Sequence, residues 1–560
     1  MSAAGPSLQP AGPGLATAEG GPVTTCNIAS HLPAMAALQS DRPAVIVPAK
    51  GGGWERLSFR ELDARSDLLA HGLESAGIAS GTRTVLMVKP SLDFFALVFA
   101  LFKVGAVPVL IDPGIGKRAL LRCLTEVEAE AFVGIPAAHL ARLLVPAPFR
   151  TVKTLVTVGR KLGWGGNDLE SLARLGAGKG PYRMAETSPE ALAAILFTSG
   201  STGIPKGAIY THGIFDAQVR SIRALYGIEP GEIDLATFPL FALFDPALGM
   251  TAVVPEMDAR FPAKADPRKL VHAIEAHGAT NMFGSPALLD NLSRHAEAAG
   301  IRFPTLRRVL SAGAPVRRDI VERMQGRLDG EAQVFTPFGA TESLPVASIG
   351  SREVLEETSS RTATGGGICV GRPAPGITAR IIRIDDGPID SWSDDLELPR
   401  GEIGEITVKG DVVTPGYFAR PEQTRLAKIR DGDAIVHRMG DLGWIDELGR
   451  LWMCGRKSQR VRLGDGRTLF TECVEQVANR HPAIRRSGLV QAGPGRAALV
   501  VEKEPSASAN DDTLRSELRS LVDPSIEAIL VHRGSLPVDV RHNAKIDRER
   551  LGRWAERTLG

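Results

Sequence analysis

The stretch Thr198-Ser-Gly-Ser-Thr-Gly-Ile-Pro-Lys-Gly207 decides the reading of this chain. It follows Ala194-Ile-Leu-Phe-Thr198, a short apolar run that reads as a strand. Glycines let several backbone N–H groups converge on one anion, hydroxyls add donors, and Lys206 closes the string with a positive charge. That combination suits a polyphosphate. It is not a Walker A loop: counting from Gly200, the sixth position is Pro205, and Gly207 rather than Ser or Thr follows the lysine.

Outward from this segment, helical stretches alternate with short β-branched runs up to about residue 350. The runs include Arg83–Val88, Thr154–Val158 and Arg308–Ser311, and the helices include Pro315–Arg327, with a proline expected in its first turn. The nine apolar residues Phe94–Phe102 are too few to span a bilayer and read as a buried helix. Such alternation predicts an α/β fold of parallel sheets covered by helices. From about 365 to 455, short strands such as Ala379–Ile384 and Gly404–Lys409, divided by Gly/Pro/Asp turns, predict a β-rich subdomain. Residues 456–560 read as a small α+β domain, with a helix over Asn510–Val522 presenting Leu514, Leu518 and Leu521 on one face. Fourteen of residues 1–22 are Ala, Gly or Pro, so that segment is expected to be a disordered tail. The expected organisation is therefore a tail (1–22), a large N-terminal region (23–455) and a C-terminal domain (456–560).

Composition excludes several classes. Lys+Arg number 66 and Asp+Glu 64, a net charge of +2, so the chain is not a basic nucleic-acid binder. Five cysteines without a CxxC pair indicate neither a disulfide framework nor a zinc cluster and predict a reducing, cytoplasmic setting. Neither a signal peptide nor a bilayer-spanning run is legible, which argues against an integral membrane protein.

Further along lie Ser311-Ala-Gly-Ala-Pro315, Phe338-Gly-Ala-Thr-Glu342, His437-Arg-Met-Gly-Asp-Leu-Gly443, Gly455-Arg-Lys457 and His542-Asn-Ala-Lys-Ile-Asp-Arg548. Together with the 198–207 loop, and in this order, they resemble the adenylate-forming superfamily of acyl-CoA synthetases, nonribosomal-peptide adenylation domains and luciferases. The resemblance runs over about residues 24–555. It implies a large N-terminal region with a mobile C-terminal lid, and ATP and Mg²⁺ as cofactors. It implies that Thr198, Ser199, Gly200, Ser201, Thr202, Gly203 and Lys206 cradle phosphates, and that Gly313, Ala314 and Pro315 flank adenine. Phe338, followed by Gly339, would stack on the base, Thr341 would donate to the α-phosphate, and Glu342 would hold the metal. Asp441 would accept the ribose hydroxyls, Arg456 would reach ribose or phosphate, and Lys545 would meet charge developing at the α-phosphate. His212, in Tyr210-Thr-His-Gly213, joins the catalytic candidates, either behind the site or as a cap of the following helix. No base for the second step can be named.

The acceptor of the activated acyl group stays open among coenzyme A, a carrier-protein thiol and a hydroxyl of the substrate. Two departures weaken the coenzyme A pattern: Ser458 stands where the hinge usually has Asp, and Arg462-Leu-Gly-Asp-Gly-Arg467 is one residue longer than the usual glycine segment. Cys26–Pro33, Val88–Phe95, Leu110–Arg118, Phe238–Gly249 and Arg541–Lys545 resemble the bacterial olefin-biosynthesis β-lactone synthetases in particular. That resemblance implies ATP-dependent activation of a long-chain 2-alkyl-3-hydroxy acid, closure to a β-lactone, and assembly with other enzymes of the pathway. A fatty acyl-CoA or acyl-AMP ligase is the alternative. The Phe/Leu-rich segment 238–249, with Ala242 where many acyl-CoA synthetases have His, is expected to line the acyl pocket.

Overall fold

Leu192–Thr198, the strand ahead of the phosphate loop, lies next to the end of a seven-stranded sheet. In the computed structural model, which describes residues 25–198, 205–238, 241–538 and 546–560, the order is Asn167–Asp168, Thr154–Thr157, Ala131–Gly134, Arg83–Met87, Val107–Ile111, Leu192–Thr198, Lys206–Thr211. All neighbours run parallel except the last pair, where Thr198 faces Lys206 in antiparallel register. The expected tail over 1–22, Ser199–Gly203 of the loop and Lys545 lie outside the described residues.

The apolar run 94–102 sits inside helix Leu92–Val104, whose residues 94–104 are all buried, with the Ser91 hydroxyl accepting from the Phe94 amide at its start. A helix buried on every side needs no polar face, which is why residues 94–102 are apolar throughout. The strand at 308–311 matches its expectation residue for residue, as does Gly404–Lys409. The helix expected over Pro315–Arg327 is shorter, Arg318–Gln325, and Pro315 lies ahead of it in the wall of a cavity.

A second sheet of 14 strands begins with Trp54–Ser58 and Pro43–Pro48, continues through a parallel run ending at Arg308–Ser311 and Gln333–Ala340, and turns antiparallel at Ser343–Gly350. The β-rich region expected as a subdomain of its own continues this same sheet. Strand Ile368–Pro373 pairs with 343–350 at Ala347/Pro373 and Ser348/Arg372, and with Leu451–Arg456 on its other side. Gly371 makes the junction possible: its φ is +88° and a Cβ there would lie 2.0 Å from the Ser348 carbonyl oxygen.

The C-terminal domain has a sheet of its own, Ile484–Gln491, Ala497–Lys503 and Ala528–Val531, flanked by helices Thr471–Ala478, Asp511–Arg519 and Arg548–Leu559. Leu499, Val501, Leu514, Leu518 and Ile529 form its core. The expected helix over 510–522 ends at Arg519, so Leu521 falls past the last turn and stands 49% exposed instead of joining Leu514 and Leu518. This domain docks on the large region through Lys457 Nζ to Glu405 Oε1 (2.9 Å), Arg317 Nη1 to the Arg485 carbonyl (2.6 Å) and Arg480 Nη1 to the Ala363 carbonyl (3.2 Å).

Candidate active site

The two domains enclose a cavity of about 2770 Å³. Its wall includes Lys206, Gly313, Ala314, Pro315, Phe338, Gly339, Thr341, Glu342, Asp441 and Arg456, so residues spread over 250 positions meet around one space. From the C-terminal domain, Glu472, Glu475, Ile546 and Arg548 close it.

Thr341 and Glu342 form the two-residue tip between strands Gln333–Ala340 and Ser343–Gly350, since Ala340 pairs with Ser343. A Cβ at Gly339 would lie 2.7 Å from Leu344 Cδ1 and 2.9 Å from the Ser343 carbonyl, so the tight tip requires glycine there. Two tyrosines fix the tip. The Tyr210 hydroxyl donates to the Thr341 carbonyl (2.6 Å), and the Tyr417 hydroxyl donates to Glu342 Oε1. The Glu342 carbonyl accepts from the Thr414 amide (2.9 Å) and hydroxyl (3.1 Å). Lys206 Nζ stands 4.9 Å from the centre of the Tyr417 ring. Burial lowers the Lys206 pKa while Glu342 counteracts it. Burial and then Glu342 raise the Tyr417 hydroxyl, which stays protonated and therefore a donor.

Asp441 and Arg456 face each other across strands Ala434–Ile445 and Leu451–Arg456, with Arg456 Nε 3.0 Å from Asp441 Oδ1. Asp441 is buried, so its carboxylate is held in one place rather than waving in solvent. On the facing domain, Glu475 pairs with Arg548 (Nη2 to Oε2, 3.0 Å), and burial, followed by the Glu475 charge, pushes Glu472 up to about 7. Val538 and Ile546, which bracket the segment containing Lys545, pair with each other and both line the cavity.

His212 takes the first of its two expected places, behind the site. The helix His212–Tyr226 is capped by Thr211, whose hydroxyl accepts from the Ile214 amide, so His212 is no cap. Its ring is fully buried and is not among the cavity-lining residues; Nδ1 accepts from the Ile28 amide (3.2 Å), and burial pulls its pKa down to about 4. It braces Cys26–Pro33 against the helix behind the site.

The cavity continues into an aromatic compartment. Phe238, Phe241 and Phe283 form one cluster (Phe241–Phe283 ring centroids 4.6 Å apart), and Phe215 and Phe244 another (6.0 Å). Val98, Phe99 and Phe102 come from the buried helix 92–104. Within 238–249 the expectation divides: Phe238, Phe241, Leu243, Phe244 and Ala247 line the space, Ala242 and Leu248 are buried in the core, and 239–240 lie outside the described residues. The contacts of Tyr210 and Tyr417 with the tip, and the place of helix 92–104 in the cavity wall, are what sequence reading missed.

An apolar chamber opening onto a lysine, a carboxylate and a paired Asp–Arg fits an acid with a long hydrocarbon part beside a nucleotide. Residues 32–418 match the AMP-binding enzyme family. The chain belongs to that family. The AMP-binding enzyme is 49% identical over 554 residues to the olefin beta-lactone synthetase of Stenotrophomonas maltophilia (strain K279a), covering 95% of this chain and 99% of the relative. It is 48% identical to the olefin beta-lactone synthetase of Xanthomonas campestris pv. campestris, covering 95% and 98%. Among solved structures it is similar to the amide bond synthetase McbA from Marinactinospora thermotolerans, with a TM-score of 0.77 and 25% identity over 94% of this chain and 99% of that one. All five cysteines are free thiols, and among the described residues no helix is long and apolar enough to cross a membrane.

Proposed function

We propose that this enzyme activates a long-chain 2-alkyl-3-hydroxy acid with ATP and closes the acyl-adenylate to a β-lactone, releasing AMP and pyrophosphate. The observation that carries the reading is the single cavity joining the aromatic chamber to the Lys206, Glu342, Asp441 and Arg456 cluster. The 49% identity to an olefin beta-lactone synthetase supplies the direction of the second step.

In the first step a carboxylate oxygen of the substrate attacks the α-phosphorus of ATP and pyrophosphate departs. Asp441 accepts from the ribose, Arg456 steadies Asp441, Phe338 stacks on the base, and the 198–206 loop with Lys206 takes the phosphates. Thr341 donates to the α-phosphate, and Lys545 neutralises charge that develops there. Glu342 fits Mg²⁺: one carboxylate beside phosphate oxygens is a common way this hard cation is held, and among the described residues no cluster of three ligating side chains offers an all-protein cage. Bound there, the ion would offset phosphate charge.

In the second step the 3-hydroxyl oxygen attacks the acyl carbon of the mixed anhydride, its proton is released, and AMP leaves with the bonding electrons. The hydroxyl is already beside its own carbonyl, so the attack needs no diffusing partner. Residues 23–455 serve as the adenylation domain and 456–560 as its mobile lid. The enzyme works in the cytoplasm and assembles with the enzymes that make its hydroxy acid and consume its lactone.

Product analysis with a racemic 2-alkyl-3-hydroxy fatty acid, ATP and Mg²⁺, with and without coenzyme A, tests this. The β-lactone should form with ATP alone, and the matching acid without the hydroxyl should stop at the adenylate. Accumulation of an acyl-CoA thioester, with faster AMP release when coenzyme A is added, would replace the lactone reading by the ligase alternative.

A further inference from the structure

At the far edge of the seven-stranded sheet from the phosphate loop, helix Pro136–Leu144 carries an unpartnered apolar face. Its inner side is anchored by His139, fully buried, whose ring stacks on Trp164 at 5.1 Å between centroids. Its outer side shows Leu140 (54% exposed), Leu143 (51%) and Leu144 (75%), which lie three and four positions apart and so share one side. The Trp164 contact also brings the loop after strand Thr154–Thr157 beside the helix, and that loop presents Leu162, 57% exposed. Three exposed leucines on one side of a single helix, with a fourth in the adjoining loop, are unusual for a surface that faces only water.

The charge around them is one-sided. Residues 131–166 contain Arg142, Arg150, Lys153, Arg160 and Lys161 and no Asp or Glu, in a chain whose net charge is only +2. The nearest carboxylates in sequence are engaged elsewhere: Glu130 lies 3.4 Å from Arg83, and Asp168 caps helix Leu169–Gly176. Arg160 and Lys161, both exposed, lie in the loop that leaves the sheet beside the start of this helix, because loop and helix follow the same ends of parallel neighbours, Ala131–Gly134 and Thr154–Thr157.

We propose that this face docks the enzyme on an anionic lipid surface, the leucines entering the headgroup boundary and the cations meeting lipid phosphates. Shallow apolar insertion framed by Lys and Arg is how a peripheral helix holds to a bilayer. A protein partner would be expected to meet such a face with carboxylates; a membrane supplies both the apolar layer and the negative charge at once. The placement leaves the phosphate-loop edge of the sheet free. The inference concerns residues outside the adenylation site and stands whichever acceptor completes the reaction.

The test is cosedimentation of the full chain with vesicles of pure phosphatidylcholine and of phosphatidylcholine mixed with phosphatidylglycerol, roughly a third of the lipid being anionic. Wild type should bind the anionic vesicles at least about tenfold more tightly, and added salt should weaken it. Leu143→Asp/Leu144→Asp and, separately, Arg160→Glu/Lys161→Glu should each lose about tenfold or more while pyrophosphate exchange in solution stays unchanged. These side chains are exposed, so the variants should fold. Equal sedimentation with both vesicle types, or variants that bind like wild type, would overturn the proposal. So would a wild-type dimer in sedimentation velocity that the leucine variant abolishes, which would give the face to a second copy of the chain.

Discussion

The Tyr417 hydroxyl donates to the Glu342 carboxylate at the tip of the 340–343 turn, and the same tyrosine ring lies under the Lys206 ammonium. One side chain from a distant loop thus sets the spacing of a cation and an anion, the pair proposed to hold phosphate and metal. A hydrogen bond to a charged acceptor is worth about 1.5–3 kcal/mol, so Tyr417→Phe should slow adenylate formation about 10- to 100-fold. Glu342→Gln should instead raise the Mg²⁺ concentration needed for half activity. Pyrophosphate exchange across a Mg²⁺ titration separates the two, because Tyr417→Phe should shift that midpoint less than Glu342→Gln does.

Lys545→Ala should reduce single-turnover adenylate formation by about 10²–10³ while leaving ATP affinity within about threefold. Rapid-quench kinetics beside equilibrium ATP binding checks it, and a full single-turnover rate in the variant would remove Lys545 from the chemistry.

The Asp441–Arg456 pair predicts a different signature. Both contacts serve ground state and transition state alike, so Asp441→Asn should raise the KM for ATP about 10-fold or more with little change in kcat. Because Arg456 acts through its 3.0 Å contact with Asp441, the double variant Asp441→Asn/Arg456→Ala should cost less than the sum of the singles. Additive losses would separate the two roles.

His212 predicts acid sensitivity. Its folded pKa is near 4, below the ordinary value of about 6.5 for a free imidazole. Between these values the unfolded chain takes up a proton that the folded chain refuses. Its contribution is therefore complete above about pH 7 and is lost as pH falls towards 4, up to about 3 kcal/mol in all. Urea midpoints at pH 7.5 and pH 5 should fall less in His212→Gln than in wild type.

Gly371→Ala should destabilise the large region by at least about 2 kcal/mol, since it combines a left-handed φ of +88° with a Cβ 2.0 Å from the Ser348 carbonyl. Thermal unfolding should show a lowered midpoint, with the C-terminal domain least affected.

Much of the site was legible because its residues sit in short contiguous strings where spacing alone constrains the chemistry. The tip Phe338–Glu342 and the loop ending at Lys206 are examples, and strand 404–409 carries three successive β-branched residues. What escaped depends on partners far along the chain. Tyr417 is 75 positions from Glu342, and nothing in its neighbours marks it as a donor to that carboxylate. Of the two places expected for His212, behind the site or capping the helix, Thr211 takes the cap and the imidazole sits behind the site, accepting from the Ile28 amide. Leu521 kept the helical spacing of Leu514 and Leu518, yet the helix stopped two residues short of it.

The sequence by itself determined the family, the order of the phosphate, adenine, ribose and lysine segments, and the division between an alternating α/β portion and a β-rich portion. Local patterns suffice for these, since each needs only neighbours in the chain. Only the tertiary structure decided that the β-rich portion continues the second sheet through Ser348 and Arg372, that helix 92–104 walls the aromatic compartment, and that leucines of helix 136–144 stand exposed. Those facts depend on which surfaces the chain buries against each other, a choice made by packing of segments tens to hundreds of residues apart.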